Sequence, residues 1–351
     1  MLEVLNMTLN ITPRRQAINV ATHSLVSFSE MSVGQGLPLV VQPTLSGVSL
    51  PEWLSGNRVA LSRLLHKHGA LLFRGFGLKD QQDFLRSVDM LDMAKMNYIE
   101  RATPRSELGN QIYTATEFPP EYEIAPHNEL SYVNQWPGRI CFFCETPAAT
   151  EGETPLVDVR KVLARLDPEI LEPFRRLGWK LVRNFGDAMG PSWRHSYDVA
   201  DAAALEAYCV KSDVSWEWLQ DGGLRTSQVR PTIHRHPVTG EELWFNHVAF
   251  WHVSSLPGDV RERFLADFDM DGLPYNTYYG DGQTIPDDVV AALREAYESE
   301  RVIFSWHTGD FLIADNMLVA HGRARFTGYR RVLVAMGDPI AISEPTRGST
   351  S

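Results

Sequence analysis

The chain has 351 residues, 44% of them hydrophobic, and carries 44 acidic against 33 basic residues for a net charge of −11. That is enough chain for one large domain with a real core, and the acidic balance excludes an electrostatic binder of nucleic acid or of membrane surfaces. No apolar run approaches the length that spans a bilayer, and the N-terminal "MLEVLNMTLNITPRRQ" lacks the basic, apolar, small-residue order of a secretory signal, so a cytoplasmic location is expected.

Residues 1–45 read as an irregular segment, with scattered Pro, Gly and Ser and no clear period. In "VALSRLLHKHGALLFRGFGL", Val59, Leu61, Leu64, Leu65 and His68 share one helical face, Gly69 marks the stop, and "ALLFRGF" follows as a buried strand. Residues 80–94 have the spacing of a second short amphipathic helix. From Gln111 onward short strands separated by turn residues take over, among them "RICFFCE" and "TPLVDV". Cys141 and Cys144 form C-x-x-C inside the first of these. Residues three apart in a strand face opposite sides, so two small buried side chains are expected there rather than a redox or zinc pair. With only three cysteines there is no disulfide framework.

Asp158 opens two short helices broken at Asp167–Pro168, and "VRPTIHRHPVTGEELWFNHV" reads as a hairpin about a "PVTGE" turn. "IPDDVVAALREAYESE" is a helix capped by Asp287 or Asp288, with Val289, Val290, Leu293 and Tyr297 inward. "FSWHTGDFLIADNMLVAHGRARF" and "RRVLVAMGD" close the chain as two further strand pairs. The pattern implies a β-rich α+β fold, a barrel or jelly roll forming one domain over 46–345. Helices pack on its outside, a helical insert runs from about 158 to 300, and 346–351 is a tail.

His127 and Glu129 stand two apart at the head of an apolar, aromatic run; in a strand, such residues share a face. His321 ends a distant strand-like run, just before Gly322. Two imidazoles and one carboxylate make a facial set that leaves three positions open on one metal, which suits non-haem Fe(II) with a bidentate co-substrate and O₂. Zinc can use the same three groups, but the helical H-E-x-x-H of a metalloprotease is absent. Such an iron site needs an organic acid as electron source. 2-Oxoglutarate chelates through its keto acid and needs a cation for its far carboxylate. Arg331 opens the next strand and can grip a carboxylate bidentately. Its neighbour Arg330 faces the other side, and register decides which of the two binds. Asp315–Asn316 either orient His321 or form a strand-end turn, and Arg323 faces either the pocket or an acid on its rim. His234 and His236 read as hairpin surface or core, His247, His252 and His307 as packing, and His66, His68 and His195 carry no chemistry.

Together with "GALLFRGF", "WPGRICFFCETPAATEGETPLVDVRKV", "HPVTGEELWFNHV" and "RRVLVAM", these residues resemble the Fe(II)/2-oxoglutarate dioxygenases of the taurine-dioxygenase superfamily, in the branch around clavaminate synthase and the syringomycin-type amino-acid hydroxylases. Only the first fifty residues and 186–230 look individual. The resemblance implies a distorted double-stranded β-helix with Fe(II) on His127, Glu129 and His321. It also implies 2-oxoglutarate on Thr154 and Arg331, and O₂ as the second co-substrate. A carboxylate at Glu129 disfavours the related halogenases. The implied reaction is hydroxylation, or another oxidation, of an amino acid or a derivative of one in natural-product biosynthesis, with the substrate free or tethered to a carrier protein. A catabolic dioxygenase releasing sulfite or a phenol, and a zinc hydrolase on the same triad, are the alternatives. In this fold the segment before the first histidine lines the pocket, which names Asn110, Thr114 and Thr116; Asn246 and Phe250 are further substrate candidates.

Overall fold

The computed structural model describes residues 25–32, 35–98, 100, 106–116, 118–186, 192–220, 222–268, 270 and 272–341. The strands are β1 (Val26–Ser32), β2 (Gln35–Pro43), β3 (Ala70–Phe73), β4 (Ile112–Thr114), β5 (Ile124–His127), β6 (Gln135–Thr146), β7 (Thr150–Glu151), β8 (Leu156–Asp158), β9 (Trp179–Phe185), β10 (Ser215–Trp218), β11 (Leu224–Arg230), β12 (Ile233–Arg235), β13 (Glu242–Trp244), β14 (Tyr275–Tyr279), β15 (Arg301–Val302), β16 (Phe311–Asp315), β17 (Val319–Arg323), β18 (Phe326–Thr327) and β19 (Arg331–Ala341). Between them lie the helices α1 (Leu50–Gly56), α2 (Arg58–His68), α3 (Gln81–Met90), α4 (Val159–Arg165), α5 (Pro168–Leu177), α6 (Trp193–Tyr197), α7 (Ala202–Ser212), α8 (Val248–Trp251), α9 (Gly258–Asp267) and α10 (Asp287–Ser299).

Two sheets carry the fold. The larger runs β1-β2-β3-β16-β6-β19-β4 and the smaller β15-β8-β17-β5. In the larger sheet, alternate residues go to opposite faces, as the pleat requires. Leu71, Phe73, Phe143, Phe311, Ile313 and Leu333 join Trp53, Leu61, Leu65, Phe84 and Val88 of α1–α3 in one buried cluster. Their strand neighbours Leu72, Phe142, Leu312 and Val334 join Leu156, Val319 and Ala320 of the smaller sheet in another. Each fully buried Leu, Ile or Phe contributes about 1.5–3 kcal/mol, so the first layer holds α1–α3 on the larger sheet and the second holds the two sheets face to face. β16 lies between β3 and β6 and is buried along its whole length, which explains its unbroken apolar run.

Several expectations need correction. Val26–Ser32 and Gln35–Pro43 are not irregular: β1 and β2 pair antiparallel, and β2 runs parallel to β3 in the larger sheet. The rest of the predicted N-terminal segment, residues 1–24, and the 346–351 tail lie outside the described residues. The insert is not helical alone, because β10-β11-β9-β14 form a sheet of their own within it. β16 and β17 do not pair with each other; the turn at Asn316 carries the chain from the larger sheet to the smaller. α10 is preceded by Pro286, with no side-chain cap, and Asp287 and Asp288 occupy its first turn. There they still favour the helix by facing its positive end. Gly69 does stop α2, at φ +78°, and a Cβ there would lie 2.4 Å from Val319 Cγ2.

Candidate active site

β5 and β17 pair antiparallel with His127 directly opposite His321. Gly322 allows this approach, since a Cβ at that position would meet the Ile124 carbonyl oxygen at 2.5 Å. The two imidazole centroids are 4.8 Å apart, and Glu129 Oε2 lies 3.8 Å from His321 Nε2. One ligand-type atom from each of the three residues falls within 4.8 Å of the others, and Glu129 and His321 are both buried. Glu129 is not in a strand, as its spacing from His127 suggested. It lies two residues beyond the end of β5, and the Leu130 after it adopts φ +57°.

The His127 ring is oriented for ligation. Its Nδ1 lies 2.9 Å from the Ala125 carbonyl, and a carbonyl only accepts. The proton of a neutral ring therefore sits on Nδ1 and Nε2 keeps a lone pair. Phe250 packs at 4.8 Å against the same ring and Phe142 at 5.0 Å against His321. Two imidazoles and a buried carboxylate, one imidazole already in the ligating tautomer, fit a divalent metal of the facial-triad type.

A cavity opens beside the triad, walled by His127, His321, Thr154, Thr116, Arg323 and Arg330. Thr154 is buried, and its Oγ1 accepts from Trp306 Nε1 at 3.0 Å. The arginines in the cavity wall are Arg323 and Arg330, not the expected Arg331. Along β19, Val332 and Val334 line the cavity with Arg330, whereas Leu333 and Ala335 lie under the outer helices. Arg331 shares the outer side, and its Nε meets Glu145 at 2.5 Å. The pleat places Arg330 on the inner face with Val332 and Val334, and the register shift beside it leaves Glu145 of β6 unpaired in the ladder. Arg330 donates from Nε to the Gly152 carbonyl at 2.9 Å. Among the described residues no carboxylate lies within ion-pair distance of it, and burial lowers its guanidinium to about 10. Arg323 spends three N–H groups on the carbonyls of Phe118, Pro119 and Tyr122, fixing the segment that enters β5.

The substrate candidates divide. Thr116 lines the cavity and Phe250 touches His127. Asn110 is an exposed turn residue at φ +55°, away from the cavity wall. Thr114 lies opposite Leu333 on β4, and its Oγ1 accepts the Ser106 N–H at 3.0 Å. Asn246 is committed to the hairpin backbone: Nδ2 donates to Thr232 O and Oδ1 accepts from Val248 N, both at 3.0 Å.

Two histidine roles went unread in the sequence. His247 is buried behind His127, at 5.6 Å between rings, with Nδ1 2.5 Å from Ser131 Oγ. His236, His66 and Asp315 form a second cluster of ligand-type side chains. His236 Nδ1 accepts from the N–H groups of Val238 and Thr239, so its proton sits on Nε2 and is donated to Asp315 at 3.1 Å. That cluster is a hydrogen-bonded brace between the hairpin and β16, and it has no lone pair from His236 to offer a cation. Asp315 also caps the N–H groups of Met317 and Leu318, and Asn316 bonds the Glu129 backbone; neither touches His321 in any described hydrogen bond. No signal short of the fold would have found these partners, because each bond spans distant elements.

A family model described as "Taurine catabolism dioxygenase TauD, TfdA family" matches residues 34–336. The chain is 39% identical over 316 residues to the dapdiamide synthesis protein DdaC of Enterobacter agglomerans, covering 90% of this chain and 95% of that one. It is 28% identical over 319 residues to a clavaminate synthase-like protein of Arabidopsis thaliana, covering 85% and 93%. Among solved structures, PvcB from Pseudomonas aeruginosa superposes with a TM-score of 0.53 at 17% identity, over 92% of this chain and 94% of that one. A second structure of PvcB, described as an Fe, alpha-ketoglutarate dependent oxygenase from an isonitrile synthetic pathway, gives 0.51 at 18% identity, over 95% of each chain. At these identities the structures speak to the fold.

Proposed function

The chain belongs to the TauD, TfdA family of dioxygenases, and from that premise we propose that His127, Glu129 and His321 hold its iron and that Arg330 and Thr154 hold its 2-oxoglutarate. It is an Fe(II)- and 2-oxoglutarate-dependent oxygenase, an oxidoreductase. Its two sheets form the family's distorted double-stranded β-helix. One observation carries the site assignment: both triad imidazoles, a threonine hydroxyl and a guanidinium with no described carboxylate partner line a single cavity, with Glu129 clustered against the two imidazoles. A half-buried cation lining a cavity calls for an anionic ligand.

Iron held by these residues, with 2-oxoglutarate, would supply O₂ activation, with one oxygen atom passing to succinate with loss of CO₂ and the other to a substrate C–H. The chain supplies placement. Ala125 holds the His127 tautomer, Arg330 and Thr154 take the far carboxylate, and Phe142 and Phe250 brace the ligand rings while keeping water from them. Thr116 and Phe250 stand where a substrate meets the metal face.

The substrate is an amino acid or an amino-acid-derived intermediate of natural-product biosynthesis. The dapdiamide synthesis protein supports that reading by its name, and the net charge of −11 favours a free small molecule over one carried by an acidic partner. No helix among the described residues is long and apolar enough to cross a membrane. All three cysteines are buried and unpaired, which fits a reducing cytoplasm. The test is succinate formation with Fe(II), 2-oxoglutarate and O₂ across panels of amino acids, sulfonates and aryloxyacetates. Turnover confined to the last two panels would replace this substrate class with the catabolic one. Turnover that needs neither O₂ nor 2-oxoglutarate would sink the oxygenase.

A further inference from the structure

Glu129 reaches the triad from an irregular backbone. It lies beyond the end of β5, and Leu130 sits in the left-handed region at φ +57°, a conformation side chains other than glycine rarely adopt. A carboxylate on such a segment keeps its aim only if the backbone beneath it is fixed from outside.

Asn316 fixes it. Its Oδ1 accepts the Glu129 N–H at 2.7 Å, and its Nδ2 donates to the carbonyls of Glu129 and Pro137, each at 2.9 Å. Asn128 Nδ2 returns a bond to the Asn316 carbonyl at 2.6 Å. Asn128 and Asn316 are both wholly buried. An N–H on one side and two carbonyls on the other settle which end of the amide is which and occupy both of its donors. Asn316 also opens the turn that leaves β16 and delivers β17, five residues before His321. One side chain therefore ties the backbone bearing the carboxylate to the connection that feeds the second imidazole.

We propose that Asn316 is a positioning residue for the metal site: it sets the place of Glu129 relative to His127 and His321, and metal affinity depends on it. The proposal rests on the triad reading given above. An aspartate at 316 would keep an acceptor for the Glu129 N–H, but it has no donor for the two carbonyls and brings a charge against them. Alanine would lose all three bonds.

The experiment is titration of the metal-free protein with Co(II), read by visible absorption, for the wild type, Asn316→Ala, Asn316→Asp and a control. The control, Thr226→Val, removes a buried bond in the insert, where the Tyr197 hydroxyl donates to Thr226 Oγ1 at 3.0 Å. Tm of each metal-free protein is measured in parallel. Both Asn316 variants should bind Co(II) about 10–100-fold more weakly than the wild type, and the control should match the wild type at whatever Tm it shows. In Asn316→Ala, which removes the acceptor, the Glu129 amide should also lose hydrogen-exchange protection, and Asn316→Asp should retain it. Asn316 variants that fall in Tm yet bind Co(II) as the wild type does would reduce Asn316 to a structural residue and overturn the proposal. A wild type that binds neither Co(II) nor Fe(II) would instead remove the triad reading, and this inference with it.

Discussion

Arg330→Ala removes a cation from the cavity that holds the two imidazoles, while Arg331→Ala removes one from the opposite side of the same chain segment. A charge-assisted hydrogen bond contributes about 1.5–3 kcal/mol, so loss of the Arg330 guanidinium should weaken 2-oxoglutarate roughly 10- to 150-fold. The Arg331–Glu145 pair is partly exposed, at 34% and 23% of the two side chains. Such pairs are worth about 0–1 kcal/mol, and their loss should change co-substrate affinity less than about 5-fold. Arg330→Lys keeps the charge but loses the fork and should fall between. The assay is anaerobic titration of Fe(II)-loaded protein with 2-oxoglutarate, followed by the visible charge-transfer band. A tenfold or larger loss in Arg331→Ala with Arg330→Ala near wild type would refute the reasoning and return the anchor to the outer side of β19.

Thr154→Val should weaken 2-oxoglutarate by roughly 2- to 13-fold, the value of one neutral hydrogen bond, in the same titration, and an unchanged Kd would make Thr154 a packing residue for Trp306 alone. Asn246→Ala should lower stability by about 1–3 kcal/mol in urea unfolding, because it leaves buried backbone groups unpaired, while the Kd for 2-oxoglutarate stays at the wild-type value; a large change in that Kd would put Asn246 back at the site. Burial pushes the Cys141 and Cys144 thiols up to about 12; neither should react with a thiol reagent at neutral pH until the protein unfolds. Burial also holds His234 and His252 at about 4, below the ordinary 6.5. The unfolded chain takes up protons there before the folded one does, so these residues contribute stability that is complete above pH 6.5 and lost as the pH falls toward 4. His234→Gln should flatten the fall of Tm across that window, and an identical slope would contradict the assignment.

The parts of the molecule legible in the sequence are those set by short-range pattern. Gly69 after a helical face, the Asp167–Pro168 break and the hairpin about residues 233–244 all came out where spacing put them. His127, Glu129 and His321 were legible for a different reason: few residue types bind metals, and theirs is a recognisable set. What escaped depended on register or on distant partners. Arg330 and Arg331 are adjacent, and only the knowledge of which face of β19 meets the cavity decides which of them points inward. Asn110, Thr114 and Asn246 are polar residues near the right segments, but turn geometry or backbone hydrogen bonds occupy them. β1 and β2 lack a strong alternating pattern and are held by their pairing with each other and with β3. The brace from His236 to Asp315 and the clasp of Asn316 on Glu129 join residues 79 and 187 positions apart, a separation no local pattern encodes.

The central claim is that three side chains, His127, Glu129 and His321, bind one Fe(II) that in turn takes up 2-oxoglutarate. Anaerobic addition of Fe(II) and then 2-oxoglutarate to the metal-free protein tests it directly. A weak visible charge-transfer band is expected, saturating at one iron per chain and absent in Glu129→Ala. A wild-type protein that forms no band while binding Zn²⁺ tightly, or a Glu129→Ala protein that forms the same band, would contradict it.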